Sequence, residues 1–339
     1  MRVGISGAGD IARRHAKALA ELGAELYIFS PHIMGKEWPD EVGAEKVESY
    51  FKLLRLSLDY VVVASPTRFH KEQALEAINH GIHVFLEKPV AENLKDMEDV
   101  FKAGQKGGSI VIVNYLLTRL HPTVIMMDEK SSEYGLKPIF FDAFRSKYRR
   151  FIGYGSEPTG NIFRREMAHD IDVIIARERC LPEYVSARYI PPASPEDQID
   201  SKGGLAELVF KDAVARLYTS YEDAESRDAG GFKKIKRHKI NCLRNGDIYT
   251  AVLDFENHFF ALKGPNIYYE HRFEEPKLER RAHEFFVSQL ERDPGDVLCD
   301  EAIPSLSQVL KEEMVVEGLI ISASENRRLY LGDTLNYNQ

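Results

Sequence analysis

The chain has 339 residues, with 45 Lys+Arg against 53 Asp+Glu and a formal net charge of −8. At roughly 150 residues per domain this length predicts two domains, each with its own core, and the acidic balance excludes the dominant basic field of a nucleic-acid binder. No apolar run approaches the ~20 residues that span a bilayer, so no membrane partner is expected.

Cys180, Cys242 and Cys299 are odd in number and widely spaced, which predicts neither a disulfide framework nor a thiolate zinc site. A strand-like segment begins at once after Met1, with no apolar leader, and together with the cysteine usage this points to a cytoplasmic protein. Short apolar runs at Val3–Ser6, Leu26–Phe29, Tyr60–Ala64, His83–Leu86 and Ile110–Val113 alternate with helical spacing over Ile11–Leu22, Lys71–Asn79 and Leu94–Ala103. Gly23, Gly81 and Gly104 follow those three helical segments, where a glycine past the helix end takes the left-handed conformation at no cost. Nearly all-apolar strands alternating with helices predict a Rossmann α/β domain, a doubly wound parallel sheet, over residues 1–120.

Residues 121–339 read differently. Tyr134-Gly135-Leu136-Lys137-Pro138 ends a helix, Ile139–Phe144 is a strand candidate and Glu166–Ala176 a helix candidate. Strand patterns then follow at Leu205–Phe210, Val214–Tyr221, Lys239–Arg244, Ile248–Asp254, Phe259–Leu262 and Ile267–Arg272, and helical ones at Pro276–Arg292 and Ala302–Ser322. Asn245-Gly246 has the composition of a two-residue hairpin turn, since both residues tolerate positive φ. Successive strands with short polar turns predict an α+β domain with a large, mostly antiparallel, open-faced sheet, and Glu222–Lys239 reads as a solvated connection within it.

The chemistry-bearing motifs sit at strand ends. Gly7-Ala8-Gly9-Asp10-Ile11-Ala12 links the first strand to the first helix: Gly7 suits a tight turn, Gly9 a close approach of backbone to pyrophosphate, and the helix N-terminus the phosphate charge. About twenty residues on, where an acid would bind the ribose 2′-OH of NAD and repel the 2′-phosphate of NADP, stands Ser30, followed by Pro31 and His32. No acid excludes the phosphate and no arginine holds it, though Arg13, Arg14 and Lys36 supply positive charge nearby in sequence; the cofactor is NAD or NADP, the balance favouring NADP. Ser65-Pro66-Thr67 ends the third strand, at the edge a cofactor would cross. His70 reads equally as a helix cap or a cofactor-side group. Glu87-Lys88-Pro89 ends the fourth strand, where a lysine can hydrogen-bond a substrate hydroxyl; on spacing alone, a surface Glu87–Lys88 ion pair reads better. Eleven histidines without an HxH or HxxxH pairing predict no metal site.

Together these motifs resemble the Gfo/Idh/MocA family of NAD(P)-dependent oxidoreductases, which includes inositol dehydrogenases. The resemblance is dense over residues 1–122, in Gly7-x-Gly9-x-Ile11-Ala12-x-x-His15, Ser65-Pro66-Thr67-x-x-His70, Gly81-x-His83-Val84-x-x-Glu87-Lys88-Pro89 and Asn114-Tyr115-x-x-x-Arg119, and thinner through His169-Asp170-Ile171-Asp172. It implies that Lys88 is the catalytic lysine, that its bond to Pro89 is cis, and that His169 is the acid–base partner. It further implies a cofactor site built from Gly7, Gly9, Asp10, Ile11, Ser30, Ser65, Pro66, Thr67, His70, Glu87, Lys88 and Asn114, and substrate contacts from Tyr115, Tyr148, Arg149, Arg165 and Asp172. The activity implied is hydride transfer between a secondary hydroxyl of a sugar, sugar acid or cyclitol and NAD(P), in a homo-oligomer (dimer or tetramer) formed through the open face of the second sheet.

One departure stands out. Many catalytic members carry an aspartate four residues before the histidine and a glycine two before it; here those positions hold Arg165 and Met167. That change motivates an alternative, a non-catalytic NAD(P)-binding sensor or regulatory protein of the same fold. Helical spacing puts Asp170 about 100° from His169 around the helix, which leaves Asp172 the better placed substitute carboxylate. The basic group Arg145, Lys147, Arg149, Arg150, Arg164 and Arg165 reads either as an exposed basic loop or as a hint of an anionic small-molecule substrate.

Overall fold

The computed structural model of the chain describes residues 1–147, 161–190, 203–221, 227–228, 231–232, 234–300 and 302–334. Its contacts separate two units: Met1–Leu120 with Lys277–Leu310, and His121–Pro276 with Lys311–Gln339. The sequence expectation of one contiguous 121–339 domain therefore differs from the structure, because residues 277–310 pack with the amino-terminal unit.

In that unit six parallel strands, β1 (Arg2–Ser6), β2 (Glu25–Phe29), β3 (Glu45–Val47), β4 (Tyr60–Val63), β5 (His83–Leu86) and β6 (Val111–Val113), lie in the order β3-β2-β1-β4-β5-β6. The strand order reverses between β1 and β4, the switch point at which ligands of open α/β sheets bind. All four residues of β4 are buried, as expected for a strand covered on both faces. The helix Asp10–Glu21 buries Ala12, His15, Ala16 and Leu19, spaced at three and four residues so that one stripe faces the sheet. Gly23 and Gly81 take positive φ, as expected. Gly104 does not end its helix: that helix runs Leu94–Gly107, Gly108 closes it at φ 65°, and a Cβ on Gly104 would stand 2.8 Å from Leu306 Cδ1. Its glycine serves a close contact rather than a cap.

Residues 277–310 join this core through their own periodicity. The helix Leu278–Gln289 buries Ala282, His283 and Phe286, and Phe286, with Val297 and Ile303, belongs to the same apolar cluster as Val3, Ile5, Tyr60 and Phe85. Phe286 lies 4.8 Å from the Tyr60 ring and 5.3 Å from that of Phe85. At the edge of the sheet the Val113 amide donates to the Pro304 carbonyl at 3.0 Å, and Ser305 bridges Ile112.

The second unit is built on a nine-stranded sheet. Its strands are β7 (Lys137–Lys147), β8 (Tyr184–Ile190), β9 (Gly203–Val209), β10 (Val214–Tyr221), β11 (Ile235–Arg244), β12 (Asp247–Asp254), β13 (Phe259–Lys263), β14 (Tyr268–Arg272) and β15 (Leu329–Tyr330), in the order β14-β13-β12-β11-β7-β10-β9-β8-β15. All pairs are antiparallel except β7 with β10. Asn245 and Gly246 both take positive φ, 52° and 87°, between the paired residues Arg244 and Asp247, the hairpin turn that their composition predicts. The helix Pro122–Tyr134 ends at Gly135 with φ 61°. β11 begins at Ile235 rather than Lys239, so the carboxyl end of the expected Glu222–Lys239 connection is strand; residues 222–226, 229–230 and 233 lie outside the described residues. Its alternation is intact, but the buried positions at its start are Lys236 and His238 instead of apolar residues, which hides the strand from an apolar count.

Truncating Phe286 to alanine should cost about 3–5 kcal/mol, the range for a buried aromatic, read as a lowered urea midpoint. A midpoint equal to wild type would show that residues 277–310 contribute nothing to the amino-terminal core.

Candidate active site

The geometry of the glycine turn follows from how closely two strand ends approach. Gly7 has φ 129° and its amide donates to the Phe29 carbonyl at 2.8 Å. A Cβ on Gly7 would lie 2.3 Å from the Ala64 carbonyl oxygen, so no side chain fits between the ends of β1 and β4. Gly9 is extended and open: a Cβ there meets nothing within 4 Å, and the helix start at Asp10 has no side-chain cap. Packing within the protein does not demand this glycine, whereas close approach by a phosphate does. Ala12 is fully buried, Asp10 and Ile11 are exposed at the first helical turn, and Ser30 is half-buried just past the end of β2.

Ser65-Pro66-Thr67 leads from β4 into a short 3₁₀ turn, Thr67–Phe69, with the Ser65 hydroxyl donating to Gln73 Oε1 at 2.8 Å. His70 is buried, and its two ring nitrogens face the Ser65 and Pro89 carbonyls, each at 2.7 Å. It therefore joins the two loops from beneath and does not cap the helix His70–Asn79 with its side chain. Burial pushes its pKa down.

Glu87-Lys88-Pro89 follows β5, with a cis bond between Lys88 and Pro89 and Lys88 half-buried. Glu87 is buried and does not form the exposed ion pair that spacing alone suggests. His15 Nε2 lies 2.8 Å from its Oε1, Asn114 Nδ2 donates to the same oxygen at 2.6 Å, and the Lys88 amide donates to Oε2 at 3.2 Å. Burial alone would raise this carboxyl; the His15 hydrogen bond, the Asn114 donor and the neighbouring Lys88 charge hold it below the usual carboxylate range. Asn114 Oδ1 is buried without a hydrogen-bond partner among the described residues, an acceptor open to a ligand donor. An open glycine at an uncapped helix start, a serine in place of the excluding acid and an orphaned amide oxygen beside Glu87 fit a dinucleotide.

In the second unit, a π-helical turn at Phe163–Met167 carries Arg165 and opens into the helix Ala168–Glu178 with His169 in its first turn. π turns interrupt the regular helical ladder and occur often at functional positions. His169 and Arg165 are half-buried, while Asp170 and Asp172 are buried. Tyr115 is buried at 3% exposure in the first unit, so neither it nor Asp172 presents an exposed side chain to a substrate. Tyr148 and Arg149, expected as substrate contacts, lie outside the described residues.

Two members of the basic group, Arg145 and Arg164, are committed inside the protein, while Arg149 and Arg150 lie outside the described residues. Arg145 donates from Nε and Nη2 to the two Asp170 oxygens at 3.0 and 3.1 Å, with Glu166 3.9 Å from Nη1. Arg164 donates to Glu313 and, at 2.9 Å, to Glu317. Sequence density of arginine showed the donors but not the carboxylates that folding brings to them. Two residues of this cluster carried no sequence signal: His238 donates from Nε2 to Asp170 Oδ1 at 2.8 Å, and Lys236 sits opposite Arg145 across the β7–β11 pair. Burial, then the Arg145 charge, lowers the Lys236 ammonium to about 7. Asp170, which burial alone would raise, is held well below the usual carboxylate range by Arg145 and the His238 hydrogen bond. Among the described residues no group of three His, Cys, Asp or Glu side chains could hold a metal ion, and no helix is long and apolar enough to cross a membrane.

Residues 1–115 match a family described as an oxidoreductase family with an NAD-binding Rossmann fold. The NADP(+)-dependent scyllo-inositol 2-dehydrogenase of Bacillus subtilis is 31% identical over 111 residues, 33% of this chain and 34% of that one. The 4-carboxy-2-hydroxymuconate-6-semialdehyde dehydrogenase of a Sphingobium species is 26% identical over 185 residues, 51% of this chain and 58% of that one. The matched segments thus span about a third and somewhat over half of these curated relatives. UDP-N-acetylglucosamine 3-dehydrogenase from Acidithiobacillus ferrooxidans superposes with a TM-score of 0.79 at 17% identity, covering 96% of this chain and 98% of that one. An oxidoreductase from Agrobacterium radiobacter, solved with NAD+, L-tartaric acid and magnesium, gives 0.80 at 16% identity, covering 98% and 99%. The two structures share the two-domain fold.

Because the folded Asp170 pKa lies below its unfolded value, its ion pair stabilises the fold above about pH 4 and that contribution is lost as pH falls through the lowered value. Asp170→Asn should therefore cost about 3–5 kcal/mol at pH 7, since it strands the buried Arg145 charge. Urea midpoints measured from pH 7 to pH 3 should show the gap to wild type narrowing on acidification. A gap that stays constant or widens would contradict the assignment.

Proposed function

We propose that this protein, whose residues 1–115 match the Gfo/Idh/MocA oxidoreductase family, is an NAD(P)-dependent dehydrogenase acting on a secondary hydroxyl of a sugar, sugar acid or cyclitol. The observation that carries the reading is the Glu87-Lys88-Pro89 turn at the carboxyl end of β5, with Glu87 kept ionised in a buried site. The bound nicotinamide supplies C4 as the hydride acceptor. Lys88 donates a hydrogen bond to the substrate oxygen and stabilises the negative charge that develops there. His169 takes the hydroxyl proton, a role for which imidazole chemistry near pH 7 is suited.

The names of the relatives support the substrate class, since one is an inositol dehydrogenase and another, 38% identical over 98 residues, a glucose-6-phosphate 3-dehydrogenase. Arg145 and Arg164 are spent on internal carboxylates, so these two arginines do not support an anionic substrate. Ser30, standing where an acid would repel the 2′-phosphate, supports NADP over NAD. A homo-oligomer formed through the open face of the nine-stranded sheet belongs to the same reading. Arg165, in place of the family's aspartate, favours one rival, a sensor that binds the cofactor without turnover.

Turnover of a panel of cyclitols and sugars with NADP+ and NAD+ tests the reading. Lys88→Ala and His169→Ala should each lower kcat by about 10²-fold or more, the typical share of a positioned acid–base group. Unchanged turnover of a confirmed substrate in both variants would overturn the assignment, and cofactor binding with no turnover across the panel would establish the sensor. Ser30→Asp should weaken NADPH binding about tenfold or more while sparing NADH, because the new carboxylate repels the 2′-phosphate. Fluorescence titration of both cofactors checks this, and equal losses for the two would refute it.

A further inference from the structure

Four side chains from separate segments of the amino-terminal unit form one buried string. Tyr60 Oη lies 3.0 Å from His283 Nδ1, His283 Nε2 lies 2.9 Å from His15 Nδ1, and His15 Nε2 lies 2.8 Å from Glu87 Oε1. Tyr60 and His283 are 0% exposed, His15 1% and Glu87 9%. The Phe85 and Phe286 rings pack around them, so water cannot stand in for a missing partner.

Each of the three contacts needs one hydrogen. A phenol and two neutral imidazoles bring three, and with both rings neutral two arrangements fill the string; a doubly protonated His15 would donate from both nitrogens and, like the second arrangement, leave the Tyr60 O–H with no acceptor in the string. In the first, Tyr60 donates to His283, His283 donates from Nε2 to His15, and His15 donates from Nε2 to an ionised Glu87. In the second, every donor is reversed, which requires a protonated Glu87 and leaves the Tyr60 O–H with no acceptor in the string. Asn114 Nδ2 also donates to Glu87 Oε1 and the Lys88 amide to Oε2, so the carboxylate end already receives donors and the first arrangement holds. Burial keeps the His283 ring neutral.

We propose that His283 is a positioning residue for the Glu87–Lys88 turn: its Nε2–H fixes His15 as the Nε2–H tautomer, the form that keeps residue 87 a carboxylate. The link from this string to turnover rests on the assignment of Lys88 above; the tautomer itself does not. Without a donor at position 283, Nδ1 of His15 can carry the proton. Its Nε2 lone pair then faces Glu87, and the carboxyl takes up a proton at higher pH. The titratable groups around Glu87 are His15, His70 and Lys88, and those around His283 are His15 and Tyr60. Of these only the His15 tautomer is set by His283 directly.

Long-range ¹H–¹⁵N correlation spectra of ¹⁵N-histidine-labelled protein, free of cofactor, read the tautomers. The expected wild-type result is a neutral His15 and a neutral His283, both protonated at Nε2. His283→Gln keeps an N–H near the Nε2 position and should preserve the His15 tautomer; His283→Leu should convert His15 to the Nδ1–H form or a mixture. In turnover assays the acid limb of kcat/KM should move up by about one pH unit in His283→Leu and return towards wild type in His283→Gln. A wild-type His15 protonated at Nδ1 overturns the proposal, and needs no variant to fold. So does a His283→Leu spectrum with the His15 tautomer unchanged. If no substrate turns over, the dehydrogenase reading fails while the spectra still decide the role of His283.

Discussion

A carboxylate taken out of water must be solvated by the protein itself, and the amino-terminal unit is arranged around one such group. Glu87 gives up its hydration at the end of β5 and receives instead His15, Asn114 and the Lys88 amide. An unpaired buried carboxylate would cost several kcal/mol and would protonate. The requirement that it stay charged places demands on β6, which ends just before Asn114, and on the helix Asp10–Glu21, which bears His15. It also reaches the helix Leu278–Gln289, whose His283 sets which nitrogen of His15 carries the proton. The same helix Asp10–Glu21 begins at the open Gly9, so the element that orients Glu87 also presents its uncapped amides where a phosphate would sit.

The second unit meets the same constraint with different groups. Asp170 follows His169 in the chain and is buried, its charge balanced by Arg145 from β7 and its Oδ1 hydrogen-bonded by His238 from β11. Three rows of structure, two strands and a helix, are thereby tied at one carboxylate beside the π turn that carries Arg165. The ion pair is bidentate and both partners are buried, which makes it costly to break and geometrically demanding. Its consequence for chemistry is indirect: it holds the first turn of the His169 helix against the sheet, and it withdraws Arg145 from any role in binding an anion.

Much of the chemistry was legible because it is local. Gly7 needs its positive φ and Asn245-Gly246 needs two positive φ values in succession, whereas Glu87-Lys88-Pro89 was legible only through the family resemblance, its spacing alone reading as a surface ion pair. The alternation of β1, β2, β4 and β5 with helices follows from apolar period alone. What escaped was whatever depended on a partner far away in sequence. Lys236 and His238 disguised the start of β11 because their polarity is satisfied only by Asp170 and Arg145. The arginines of 145–165 suggested an external anion because Glu313 and Glu317, which neutralise Arg164, stand far along the chain. β3, three residues with one apolar side chain, carries too little apolar contrast to be read at all.

The sequence by itself determined the Rossmann topology, the glycine turn and the antiparallel character of the second sheet. Each is encoded by backbone conformation or period over a few neighbouring residues. Only the tertiary structure decided that residues 277–310 complete the first unit, that Glu87 is buried and ionised, and that His283 lies against His15 across 268 positions of chain. Those outcomes come from packing between distant segments, where the energy of a polar side chain is set by what surrounds it and not by what precedes it.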